Sequence, residues 1–126
     1  MQFKKHFTLE EARALLPQLR RIFQDVRRRR QQIAEADEKL GKMLNETSGD
    51  LGGDSVTGML MDLEQMNRQL ARIQETGVVI KDLDRGLVDF PHIREGREVF
   101  LCWELEEDDI EFWHDIDGGY AGRERL

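Results

Sequence analysis

The residues best able to do chemistry crowd into the last third of the chain. Asp89, Glu104, Glu111, His114 and Asp115 supply four carboxylates and an imidazole within a short stretch, and Asp82 and Asp84 stand just upstream. Acidic oxygens suit Mg²⁺, Ca²⁺ or Mn²⁺, and an imidazole among them extends the set to Zn²⁺ or Fe²⁺. The same region holds the only cysteine, Cys102, both tryptophans and the only tyrosine. Flanked by Leu101 and Trp103, Cys102 reads as a small buried hydrophobe rather than a nucleophile. No histidine stands at a spacing that marks a Cys–His pair. His114 reads as a hydrogen-bonded structural residue, with metal ligation or acid–base work as the alternative.

Two further motifs fall short of a known site. Lys81 to Gly86 has the Asp-x-Asp opening of a calcium loop but lacks the later ligands and the bidentate Glu. Gly118 to Arg123 is glycine-rich enough for an anion-binding nest. No helix follows it, however, so it fits neither a dinucleotide nor a P-loop context. A docked tail anchored by Tyr120 is the simpler account.

Placing these groups requires a sheet. Val78 to Ile80 is a β-branched run, and Leu87–His92, Glu98–Leu105 and Ile110–Ile116 alternate apolar and polar residues. Opposing Leu105 with Ile110 pairs Trp103 with Phe112, Leu101 with His114, Glu104 with Glu111 and Cys102 with Trp113. A turn at residues 94–95 sets Phe90 against Val99 and Val88 against Leu101. One face is then apolar throughout, and the other carries Asp89, Phe100, Cys102, Glu104, Glu111, Trp113 and Asp115. The Glu104–Glu111 opposition is unfavourable unless solvent screens it or a cation sits between them. In this register His114 points to the apolar face, away from the acids.

Before the sheet the sequence is helical. Phe7-Thr8-Leu9-Glu10-Glu11-Ala12 is a capping box with Phe7 as its hydrophobic staple. Apolar residues at 12, 19, 26, 33 and 40 follow a seven-residue step, and Pro17 removes one amide and kinks the helix. Asn45–Gly53 is the break, Asp54 or Ser55 caps a second helix, and Gly77 ends it. The arms, roughly 38 and 22 residues, span about 57 and 33 Å. Leu15, Leu16, Leu19 and Phe23 therefore outrun the shorter arm and need cover from the strands or from a partner chain.

The chain of 126 residues suits one domain, with the hairpin over 8–76, the β region over 77–117 and a tail over 118–126. No apolar run approaches the ~18 residues of a membrane span. With one cysteine and no secretory leader, a reducing cytoplasm is the expected compartment. Residues 1–30 carry nine basic against three acidic residues, and residues 82–126 carry fourteen acidic against five basic. The acidic end would repel phosphates, so attraction between the two ends is favoured over nucleic-acid binding.

The blocks FTLEEARALLPQLR, GVVIKDLDRGLVDFP and GREVFLCWELEEDDIEFWHDIDGGYAGR resemble a bacterial family of unknown function, from Phe7 to Arg123. The resemblance implies a small soluble protein with a helical hairpin and a C-terminal β region, and it transfers no activity. A site shared by that family would lie at Asp82, Asp84, Asp89, Cys102, Glu111, His114 and Arg123. The sequence thus predicts an α+β fold, a long antiparallel helical hairpin packed on a small antiparallel sheet. The functional expectation is a non-enzymatic structural or interaction protein, self-associating as a dimer. The alternative is a divalent-metal protein or metal-dependent enzyme using Asp89, Glu104, Glu111, His114 and Asp115.

Overall fold

Thr8 starts the first helix by reciprocal capping. The Glu11 amide donates to Thr8 Oγ1 at 3.1 Å and the Thr8 amide donates to Glu11 Oε1 at 3.0 Å, satisfying two amides that the helix end leaves free. The computed structural model describes residues 1–45 and 53–126. Helix α1 (Leu9–Asn45) and helix α2 (Gly53–Glu75) precede five strands: β1 (Val79–Asp82), β2 (Leu87–Arg94), β3 (Arg97–Trp103), β4 (Phe112–Asp115) and β5 (Glu124–Arg125). The predicted break at 46–52 and the capping side chains of Asp54 and Ser55 lie outside the described residues. Helix α1 runs unbroken through Pro17. Gly77 ends the helical hairpin at φ 96°, its amide donating to the Gln74 carbonyl at 3.0 Å.

The buried residues of α1, from Ala12 to Val26, all lie in its first half. Leu16, Leu19 and Phe23 join Val88, Phe90, Val99, Leu101, Trp103 and Trp113 of the sheet region, with Met66 and Ile73 of α2, in one core. Full burial of each large side chain contributes about 1.5–3 kcal/mol, and the Trp103 indole N–H is satisfied by the Glu107 carbonyl at 3.0 Å. Gly86, at φ 62°, lets the β1–β2 turn press onto this core, since a Cβ there would come within 2.8 Å of Leu105 Cβ.

All neighbouring strands pair antiparallel, in the order β1-β2-β3-β4-β5. Two registers differ from the expected ones. Phe90 pairs with Leu101 rather than Val99, because a two-residue turn at Glu95 and Gly96, both at positive φ, closes the hairpin between Arg94 and Arg97. That shift of two preserves the faces.

The second difference matters more. Phe112 pairs with Cys102, not Trp103, and Trp113 pairs with Leu101. A slip of one residue turns β4 over. Its cause is the connection from Glu104 to Glu111, which is no tight turn. Glu107 folds back there to accept from the Glu104 amide at 2.9 Å, while the Leu105 amide leaves for the Arg85 carbonyl at 3.3 Å. Ile110 is buried from within this loop, unpaired. Trp113 consequently joins the core, and His114 moves to the outer face.

The expected tail also joins the sheet. After a 3₁₀ turn at Tyr120–Gly122, β5 pairs with β4 through Phe112↔Arg125 and Trp113↔Glu124. The charge asymmetry resolves within the chain. Arg13 pairs with Asp109 at 3.0 Å, Arg27 with Glu106 at 3.2 Å, and Arg30 with Asp84. Arg20 donates to the carbonyls of Glu107 and Asp108 and lies over the Trp103 ring. Among the described residues no helix is long and apolar enough to cross a membrane.

Candidate functional site

The outer face of the sheet is polar where it is most buried. Cross-strand pairing sets Asp89 opposite Cys102, Cys102 opposite Phe112, and Phe100 opposite His114, so these side chains share one face. Asp89, Cys102 and His114 are each 1–2% exposed. One ligand atom from each lies within 4.8 Å of the others. Phe3 packs edge-on to Phe100 at 5.2 Å, and Phe100 lies 5.4 Å from the His114 ring, closing one side. The other side is a cavity of about 130 Å³ floored by the three polar residues and walled by Lys81, Leu87, Ile116, Gly119 and Tyr120.

Hydrogen-bond bookkeeping fixes the histidine. His114 Nδ1 lies 2.7 Å from the Asp115 carbonyl oxygen and Nε2 lies 3.0 Å from Asp89 Oδ1. A carbonyl only accepts, so Nδ1 carries a hydrogen. One further proton then lies between Nε2 and Asp89 Oδ1, because neither atom can otherwise donate. Burial, then the Asp89 charge, pushes the Cys102 thiol up to about 12, against an opposing pull from Arg123. A thiol that stays protonated at neutral pH is a poor nucleophile.

The same three residues make a coherent ligand set for a metal. Ligating histidines commonly donate their other ring N–H to a carbonyl, as His114 does to Asp115. That leaves Nε2 facing Asp89, with Cys102 in the same cluster. Nitrogen, sulfur and oxygen donors together suit a zinc-class ion rather than Mg²⁺ or Ca²⁺. A dication is balanced by one carboxylate and one thiolate, which removes most of the penalty for burying charge.

Of Asp89, Glu104, Glu111, His114 and Asp115, only Asp89 and His114 meet. Glu104 accepts from Arg85 at 2.6 and 3.0 Å and from the Tyr120 hydroxyl at 3.1 Å. Glu111 is exposed and 4.0 Å from Arg125, so the expected Glu104–Glu111 opposition does not form. Asp115 is exposed and pairs with Arg97 at 3.1 Å. Asp82 caps its own turn, accepting from the amides of Asp84 and Arg85, and Asp84 is held by Arg30 and Arg27. Arg123 bridges Glu107 at 2.7 Å and stacks on Phe112. Cys102 is buried with a raised thiol value, as its apolar neighbours suggested, and it lines the same cavity as Asp89 and His114. Lys81 lines that cavity too and was not singled out from the sequence; its alternation with Val79 was the available clue.

Comparison with protein families matches residues 5–126 to a family described as an uncharacterized conserved protein, DUF2203. Comparisons with curated proteins and with solved structures return no match.

Proposed function

We propose that this chain, which belongs to the DUF2203 family, is a metal-binding protein whose ion sits between Asp89 Oδ1, Cys102 Sγ and His114 Nε2. The observation that carries this is the anchoring of His114 Nδ1 on the Asp115 carbonyl with Nε2 3.0 Å from Asp89 Oδ1, in a cluster where Asp89, Cys102 and His114 each offer a ligand atom within 4.8 Å of the others. A zinc-class ion would displace the proton between His114 and Asp89 and the proton of the thiol. The two anionic ligands moderate its Lewis acidity, which favours a binding role over a hydrolytic one. A reducing bacterial cytoplasm, where Cys102 stays a thiol, suits such a site.

The test is elemental analysis of the purified protein, then melting of chelator-stripped protein with and without Zn²⁺. Binding to the folded state alone raises the transition by mass action. Cys102→Ser should weaken the zinc response. Absence of co-purified metal together with a transition indifferent to chelator and to Zn²⁺ would sink the assignment.

A second reading, homodimerisation through the helical hairpin, draws on Val56, Leu60, Met61 and Leu63, which α2 leaves 38–61% exposed. Two hairpins pairing as a four-helix bundle would cover them. Light scattering decides this, against a chain mass of 14.8 kDa.

A further inference from the structure

We infer that the metal centre takes a short-chain carboxylate as an additional ligand, with Lys81 as the counter-charge; this rests on the metal assignment above. Three protein ligands leave one position of a tetrahedral ion open. Asp89, Cys102 and His114 all line the same cavity, so that open position faces into it.

The cavity's size, charge and walls select the ligand. At about 130 Å³ it holds roughly four waters at ~30 Å³ each, far below the ~300 Å³ or more of sites for drug-sized molecules. Formate, acetate or propionate fit whole, whereas a nucleotide or sugar phosphate would extend out of its open mouth. A dication with one carboxylate and one thiolate is formally neutral, so the ion itself does not call for another anion.

Lys81 supplies the positive charge at the cavity rim. It is exposed to solvent and makes no ion pair among the described residues, and its Nζ sits 5.3 Å from the centre of the Phe100 ring, which in turn packs on His114. The carboxylate that shares its cavity, Asp89, is committed to His114. Leu87 and Ile116 give the cavity an apolar wall suited to a short alkyl chain. A carboxylate oxygen on the metal, its charge balanced by Lys81 and its methyl or ethyl group on Leu87 and Ile116, uses every feature of the cavity.

The experiment uses the full chain loaded with Co²⁺, whose visible spectrum reports both coordination number and the thiolate bond. Acetate is titrated at constant ionic strength set with perchlorate, then compared with formate and propionate. Expected is a saturable change in the cobalt bands, with the acetate dissociation constant about tenfold weaker in Lys81→Met, equivalent to about 1.4 kcal/mol, and Co²⁺ affinity unchanged. Cobalt bands indifferent to all three carboxylates would overturn the inference while leaving the metal assignment standing. An identical acetate response in Lys81→Met would likewise overturn it. Failure of Co²⁺ to bind would remove the metal assignment itself, and this ligand with it.

Discussion

His114 reaches across β3 to place Nε2 3.0 Å from Asp89 Oδ1, both groups almost wholly removed from water. Removing one member of such a pair strands the other in a low-dielectric interior. In metal-free protein, His114→Leu should cost about 3–5 kcal/mol in urea unfolding. The double variant Asp89→Leu with His114→Leu should recover most of that loss, since both polar groups then disappear together. Additive losses in the double variant would mean the two residues do not act as a pair.

Burial also governs Cys102. Its thiol is pushed from an ordinary 9.0 up to about 12, chiefly by desolvation. A raised value means the folded state favours the protonated thiol. The associated stability is complete below pH 9 and drains away as pH climbs towards 12. At pH 8, with chelator present, iodoacetamide should modify Cys102 at least about a hundredfold more slowly in folded than in unfolded protein. Mass spectrometry reads the extent, and comparable rates would show an accessible thiolate.

Much of the architecture was legible because it is local. The Thr8–Glu11 capping box, the apolar stripes and Gly77 all act within a few residues of themselves, so periodicity and cap chemistry sufficed. The site depended on a single unit of register between β3 and β4, which local pattern does not fix. Alternation at Ile110 and Phe112 suggested a continuing strand, but Ile110 fills the core from a loop stapled by Glu107 and Arg20. With that loop absorbing one residue, Trp113 and His114 exchange faces. The acidic face expected across the sheet dissolves into surface ion pairs, and a smaller, drier site with Cys102 takes its place.

One carboxylate gathers three groups of the N-terminal segment. Glu98 accepts from the amides of Gln2 and Phe3, each at 3.0 Å, and pairs with His6 at 2.6 Å. The His6 bond, with those amides, holds the Glu98 carboxyl below its ordinary 4.5. A depressed value contributes stability that is present above pH 4.5 and lost as pH falls through the lower folded value. Protection factors at Gln2 and Phe3, referred to the intrinsic exchange rate at each pH, should therefore fall as pH drops below the ordinary 4.5 while the sheet stays protected. Glu98→Gln should bring that loss of protection to neutral pH. Protection at Gln2 and Phe3 that survives at pH 2, or in Glu98→Gln, would contradict this account.

The two sides of α2 make contrasting demands on substitution. Ile73 is 1% exposed within the core, whereas Leu60 is 61% exposed. Truncating Ile73 to Ala leaves a cavity and should cost about 2–5 kcal/mol. Leu60→Ala should stay within about 0.5 kcal/mol in an isolated chain, because little of its surface leaves water on folding. If two hairpins pair in solution, Leu60 and Leu63 become interface residues and that insensitivity disappears. Light scattering should then give twice the chain mass, and Leu60→Glu with Leu63→Glu should return it to 14.8 kDa with helix content unchanged. Val56, Leu60 and Leu63 follow an i, i+4, i+7 spacing, the stripe through which one helix packs on another. A native mass of 14.8 kDa at micromolar concentration would remove the dimer and leave these residues as ordinary exposed surface.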